Sequence, residues 1–281
     1  MVEGDAMTFK DILVHVDDSA RAAIRLDVAI ALAAEHQAHL VALNVRPQGP
    51  RTAAIGAPFG NELEAAMARN DAEAAGRTRA MVESRPVPDG LAVEWRDVIG
   101  DPVDEVALHA RYCDVAVIGQ TEPDAPGGRP LADNLVLAVG RPLLVIPHSG
   151  RFSAIGRRVL LAWNGSREAT RAVHDSMPVL ARAAVVHVIA VNPGHGQDGH
   201  GDVPGADICL HLSRHGVNAV CEQIRTDDLD VGEMLLNRAA DEDCDLIVMG
   251  GYGRSRLREM VLGGATRHLL EHMTVPVMLS H

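Results

Sequence analysis

The chain has 281 residues, a net charge of −12, 47% hydrophobic residues and 2% aromatic residues. That length suits two domains of about 140 residues, each with its own core, and the apolar content excludes a disordered chain. The acidic balance argues against a general nucleic-acid binder, which needs a basic face. It leaves room for a small anion held by local charge.

The first ten residues are acidic and contain no apolar stretch of the signal-peptide kind, so no export signal is expected. No apolar run approaches the roughly 18 residues of a membrane span, so no membrane partner is expected. The cysteines Cys113, Cys209, Cys221 and Cys244 have no CxxC spacing. A zinc or redox motif is therefore not expected, and a reducing cytoplasm fits.

In chain order, apolar runs predict strands at 11–16, 39–45, 91–96, 114–119 and 142–146. A second set falls at 158–163, 184–191, 217–224, 245–250 and 275–279. Helical periodicity fills most of the gaps. The segments 46–60 and 192–205 are rich in Gly, Pro, His or Asp and read as irregular loops. A short Gly- and Ser-bearing linker follows His148.

The two sets are copies of one unit. Asp11-Ile-Leu-Val-His-Val-Asp17-Asp-Ser19 is answered by Val159-Leu-Leu-Ala-Trp-Asn164-Gly-Ser166. Cys113-Asp-Val-Ala-Val-Ile-Gly119 is answered by Cys244-Asp-Leu-Ile-Val-Met-Gly250. A repeat this long is a duplicated domain and not a solenoid. Its boundaries are placed at 1–148 and 156–281. Alternating strands and helices predict an α/β fold: two tandem, doubly wound, open parallel sheets of five strands.

Ligands of such folds bind outside the carboxyl ends of the strands. In the second half that place is filled by Gly250-Gly-Tyr-Gly253-Arg-Ser-Arg-Leu-Arg-Glu-Met-Val-Leu-Gly263-Gly-Ala-Thr266. Glycines allow a tight turn and a close approach of backbone to phosphate. A helix opening near Gly264 would present free N–H groups to an anion. Arg254, Arg256, Arg258 and Arg267 gather positive charge in an acidic chain. Read alone, the segment could equally be a strand-to-helix connection with solvated arginines. It is neither a Walker loop nor the Rossmann fingerprint.

Gly250-x2-Gly253-x9-Gly263 resembles the phosphate loop of ATP-binding universal stress proteins. The likeness extends over nearly the whole chain, twice, and includes Val98-Ile-Gly-Asp-Pro102, similar to the family's turn after the third strand. It implies the adenine-nucleotide alpha-hydrolase-like fold and ATP, with or without Mg2+, as ligand. It places Asn164 and Val191 at the adenine or ribose, Met249 and Gly250 beside the ribose and α-phosphate, and Gly253, Arg254, Gly263 and Gly264 on the phosphates. Gly264 stands where the family has Ser or Thr, and Thr266 could replace that hydroxyl only in part. In the first half Asp17 matches Asn164, but Glu122 replaces the second glycine and the loop is shorter. A structural role is expected there. The resemblance further implies a stress-response regulator with little or no hydrolysis, pairing of the two domains through their last strands, an unknown protein partner, and a homodimer left open. The alternative is a nucleotide-free scaffold of the same family.

Other residues read blandly. Ser19 and Ser166 are both expected to cap the helices that follow them. The histidines and aspartates of 195–202 are expected to be solvated. Cys113 and Cys244 are expected to be small buried residues. Trp163 is expected to face the core, opposite Asn164. Tyr252 would lie over the ligand or shield it.

Overall fold

The computed structural model describes residues 7–47, 60–121, 131–191, 205–225, 230–252 and 264–281. The first half runs β1 (Asp11–Val16), α1 (Ala22–His36), β2 (His39–Pro47), α2 (Gly60–Glu83), β3 (Val93–Gly100), α3 (Pro102–Ala110), β4 (Val115–Gly119), α4 (Leu131–Ala138) and β5 (Leu143–Ile146). The second runs β6 (Arg158–Ala162), α5 (Arg167–Leu180), β7 (Val185–Val191), α6 (Ala206–Arg214), β8 (Ala219–Ile224), α7 (Val231–Asp241), β9 (Leu246–Gly250), α8 (Gly264–His272) and β10 (Val277–Ser280).

Both sets of strands join one ten-stranded sheet, ordered β3-β2-β1-β4-β5-β10-β9-β6-β7-β8. Pairing is parallel within each half, and β5 meets β10 antiparallel at Leu143↔Leu279, Leu144↔Met278 and Val145↔Val277. The expected pairing of last strands is thus made within the chain. The order is a pseudo-two-fold, with the symmetry axis passing between β5 and β10.

Central parallel strands are covered on both faces, so they can be apolar at every position. Ile12 and Val14 face one layer and Leu13 the other. One layer is built on α1, α2, α5 and α6, and the other on α3, α4, α7 and α8. Alanines at the helix contacts (Ala29 and Ala33 of α1, Ala239 of α7) let the layers approach with few aromatics. The two Cys-Asp pairs have the same use: Asp114 accepts from the N–H groups of Lys10 and Asp11, and Asp245 from those of Gly156, Arg157 and Arg158. Each carboxylate pins the start of a central strand.

One boundary differs from the sequence reading. The third strand was expected to end at 96, with Val98 to Pro102 in a turn. Instead β3 pairs with β2 as far as Pro47↔Gly100, and only Asp101 and Pro102 leave the sheet. Glu94, Arg96 and Asp97 disguise it, because an outer strand tolerates charge that a central one does not. Arg46 and Pro47, expected in the following loop, likewise belong to β2. The loops 48–59 and 192–204 lie outside the described residues.

Candidate functional site

The carboxyl ends of the strands can be compared directly, because both halves build the same turn there. In the first, Asp17 Oδ1 accepts from Ser19 N at 3.2 Å. In the second, Asn164 Oδ1 accepts from Ser166 N at 3.1 Å. Gln120 N donates to Ile146 O, and Gly251 N to Ser280 O, both at 2.8 Å.

In the second half α5 starts at this turn, and the N-termini of α7 and α8 meet each other beside the end of β9. Ser166 caps α5 by accepting from Ala169 N at 3.1 Å, as expected. Gly250 ends β9 against the backbone of Glu168 and Ala169, so close that a Cβ would lie 2.6 Å from Ala169 N. Asp230 caps α7 through Gly232 N, and α7 packs on the first turn of α8, where Gly264 stands exposed. The aligned peptide dipoles favour an anion at such helix ends, although Ser166 and Asp230 already take one N–H each and Glu168 and Asp230 bring negative charge.

Asn164 is exposed at the mouth of this region, and Val191 is half-buried at the end of β7. Met249 is buried among the α7 and α8 side chains. Thr266 is also buried, and its Oγ1 accepts from Tyr252 N at 3.4 Å, so its hydroxyl serves the backbone of the loop's own start. Gly253, Arg254 and Gly263 lie outside the described residues, as do Arg256 and Arg258. Arg267 belongs to a different environment from the one expected. It pairs with Glu271 one turn along α8, Nε to Oε1 2.8 Å, because that spacing puts the two side chains on one face.

Tyr252 also departs from expectation. It neither covers nor shields the mouth. Its ring is buried, and its hydroxyl donates to Asp133 Oδ1 of α4 in the other half at 2.5 Å. The adjacent Gly251 lies close to Val136 of the same helix. A ring this large gains more by burial between the halves than by lying in water. Gln120 makes the reciprocal contact. Its Nε2 donates to Leu270 O and Glu271 O at the end of α8, while Oε1 accepts from His148 N.

In the first half the same region is a cleft of about 770 Å³ at the ends of β1 and β4. Three positions distinguish it. His15, Arg21 and Arg25 stand where the second half has Ala162, Glu168 and Ala172. Arg25 is buried, donates from Nε to His15 O at 2.6 Å and approaches Asp17 Oδ1 with Nη2 at 3.0 Å. Burial pushes the His15 imidazole down to about 4, and Arg25 pushes the same way. Burial alone would raise Asp17, but Arg25, His15 and the Ser19 hydrogen bonds hold it at about 2. His15 and Arg25 were not singled out from sequence. Neither residue carries a motif, and an arginine on an amphipathic helix reads as solvent-facing.

Glu168 and Asp230 were missed in the second half. Glu168 is buried beside Gly250. Asp230 Oδ2 would stand 3.7 Å from a Cβ on Gly264. Asp230 could have been found as the cap of a predicted helix, matching Asp101 in the first half. Trp163 packs on the core and Cys113 and Cys244 are buried free thiols, all as expected. Burial raises both thiols to about 11, which keeps them protonated and unreactive. Residues 195–202 lie outside the described residues.

A family model described as "Universal stress protein family" matches residues 8–146 and again 156–281. The chain belongs to the universal stress protein family. Its duplicated halves are two universal stress protein domains in tandem. A universal stress protein from Archaeoglobus fulgidus DSM 4304 superposes with a TM-score of 0.72 at 17% identity, covering 96% of this chain and 95% of that one. A functionally unknown protein from Pseudomonas aeruginosa PAO1 gives 0.61 at 17% identity, covering 97% and 92%. A universal stress protein solved in complex with cAMP aligns with 50% of this chain and 98% of its own, at 22% identity and a TM-score of 0.33. No curated protein matches. Among the described residues no helix is long and apolar enough to cross a membrane.

Proposed function

We propose that this universal stress protein is a regulator that binds ATP, or a related adenine nucleotide, in its second half and turns it over slowly if at all. The observation that carries the reading is the α5 N-terminus packed on Gly250 beside the Asn164 turn, with the α7 and α8 N-termini meeting at Gly232 and Gly264. Backbone donors and helix dipoles suit a polyphosphate without a dedicated basic patch. The Asn164 amide can both donate to and accept from adenine. Val191 offers an apolar surface to the base. Gly264 leaves its backbone open to phosphate, with Gly253, Arg254 and Gly263 joining it on the strength of their spacing. Met249 and Thr266 act from behind, by packing and by fixing the start of the loop. Were a Mg2+ to accompany the phosphates, Asp230 Oδ2, beside Gly264, would be a carboxylate oxygen available to it, Oδ1 being engaged in the α7 cap. Dipoles and caps bind but do not move protons, which fits a sensor better than an efficient hydrolase. A cytoplasmic stress response is the setting this reading implies.

The continuous sheet has a consequence for partners. β5 already has β4 and β10 as neighbours, and β10 has β5 and β9. A homodimer built through these last strands is therefore closed to this chain, and any second copy or signalling partner uses other surface.

The test is calorimetric titration of nucleotide-stripped protein with Mg-ATP. A single site per chain is expected, weakened about tenfold or more by Asn164→Leu through lost hydrogen bonds. No heat from folded protein would sink the reading. It would leave the nucleotide-free scaffold, which the burial of Tyr252 between the halves favours.

A further inference from the structure

The first half's cleft has a size typical of small-molecule sites, which span about 300–1,000 Å³. Its walls are largely apolar, with Pro47, Val103, Leu131, Ile146 and Pro147 among them. Its floor is not. His15 is 6% exposed and Arg25 4%, and both line the cleft.

These two buried groups have bonding capacity to spare. Arg25 spends Nε on His15 O, and Nη2 reaches Asp17 as an ion pair without hydrogen-bond alignment. Nη2 is thus a buried guanidinium nitrogen without a hydrogen-bond partner among the described residues, while Nη1 lies against the bare Cα of Gly119. The His15 ring has no such partner either. Asp17, by contrast, is well served by Ser19 N, Ser19 Oγ and Arg25. A buried guanidinium with an open edge is costly until an anion completes it.

Charge limits what that anion can be. Arg25 and Asp17 cancel, His15 is neutral, and Arg21, held by Pro147 O and Gly150 O, and Asp101, which caps α3, bring one charge of each sign to the lining. Such a site accepts one negative charge and resists the four of a triphosphate.

We propose that the first half's cleft is a second ligand site, taking a small, mostly apolar molecule with one carboxylate. The carboxylate lies on the open edge of Arg25 with His15 beside it, and the apolar body lies against Val103, Leu131 and Ile146. The site does not depend on nucleotide binding in the second half.

The test uses the full chain and three probe acids, benzoate, indole-3-acetate and octanoate, each beside its primary amide. Saturation-transfer NMR and titration give the affinities. At least one acid is expected to bind about tenfold or more tighter than its amide, the return from a charge-assisted pair in a buried site. Arg25→Gln should erase that preference. Val103→Trp, which fills the cleft and leaves the floor intact, should abolish binding of acid and amide alike. Saturating Mg-ATP should leave acid binding unchanged. Equal binding of acids and amides, a preference that survives Arg25→Gln, binding that survives Val103→Trp, displacement by ATP, or no saturable binding of any acid to folded protein would each overturn the proposal.

Discussion

The two halves share a strand order, a turn and two helix layers, yet their ligand faces have opposite characters. The second half keeps small or acidic residues at Ala162, Glu168 and Ala172 and leaves its polar groups to the backbone of three helix ends. The first half places His15, Arg21 and Arg25 at the same positions and makes a floor of side chains. A backbone site suits any anion of the right shape, because its donors belong to the fold. A side-chain site is selective by charge, because its donors have already been partly spent. Duplication has therefore given one chain two strand-end faces of different chemistry.

The largest expected difference lies in a pair of equivalent glycines. At Gly250 a Cβ would meet the backbone of Glu168 and Ala169, which cannot move without shifting α5. At Gly119 it would meet only the guanidinium end of Arg25, a flexible side chain. Gly250→Ala is expected to cost about 3 kcal/mol or more, and Gly119→Ala about 1 kcal/mol, by the usual range for overpacking. Denaturant midpoints at constant m-value check this. Equal losses would mean that the two strand ends are not built differently.

His15 gives the first half a pH dependence that its counterpart Ala162 cannot give the second. The His15 pKa is about 4 in the folded chain against 6.5 when unfolded, so the unfolded state binds the proton first. Stability is then complete above pH 6.5 and falls as the pH drops towards 4. The loss from this one buried ring is on the order of 2–3 kcal/mol. His36, also held at about 4 by burial and Arg182, slopes the same way. Urea titrations from pH 7 to pH 4 should show His15→Gln flattening part of the curve. A variant as acid-sensitive as the parent would contradict the placement of His15 on a buried floor.

The contacts between the halves should be worth less than either effect. Tyr252→Phe removes one hydrogen bond and leaves the Asp133 carboxylate without it, at a cost of about 1–2 kcal/mol. Ring burial and the β5–β10 pairing survive. If Tyr252 instead served the nucleotide, the variant would lose ATP affinity and keep its stability, so melting and calorimetry on the same sample separate the two roles.

How much of this was legible follows from the distance between the partners. Ile12–Val14 and Val115–Ile118 are uninterrupted apolar runs, and local pattern suffices for them. The Asp17 and Asn164 turns and the Ser166 cap involve neighbours in sequence and were readable too. The extension of β3 to Gly100 was not, because Glu94, Arg96 and Asp97 hide the strand and only β2 defines it. Tyr252 meets a partner 119 residues away, so the loop sequence alone cannot choose between lid and anchor. Arg25 is similar: its helix pattern permits either face, and the decision is made by Asp17, His15 O and the bare Cα of Gly119.

The smallest expected effect concerns two serines in one structural position. Ser166 accepts from Ala169 N and so caps α5, and Ser166→Ala should cost about 1 kcal/mol. Ser19, expected to cap α1 in the same way, does not: the N-cap position falls at Arg21, which makes no side-chain cap. The Ser19 hydroxyl donates to Asp17 instead, at 2.5 Å. Ser19→Ala should therefore lose less stability at neutral pH, a few tenths of a kcal/mol for a half-exposed bond. It should also raise the Asp17 pKa from about 2 towards the ordinary carboxylate value. A depressed carboxylate stabilises above its unfolded pKa and loses that contribution as the pH falls through the folded one, so the variant's deficit is present at neutral pH and closes in acid, where Asp17 is protonated in both chains. Carboxyl-carbon NMR of Asp17 reads the shift directly. An Asp17 pKa unchanged by Ser19→Ala, with a stability loss equal to that of Ser166→Ala, would make the two serines ordinary caps and remove one of the differences between the clefts.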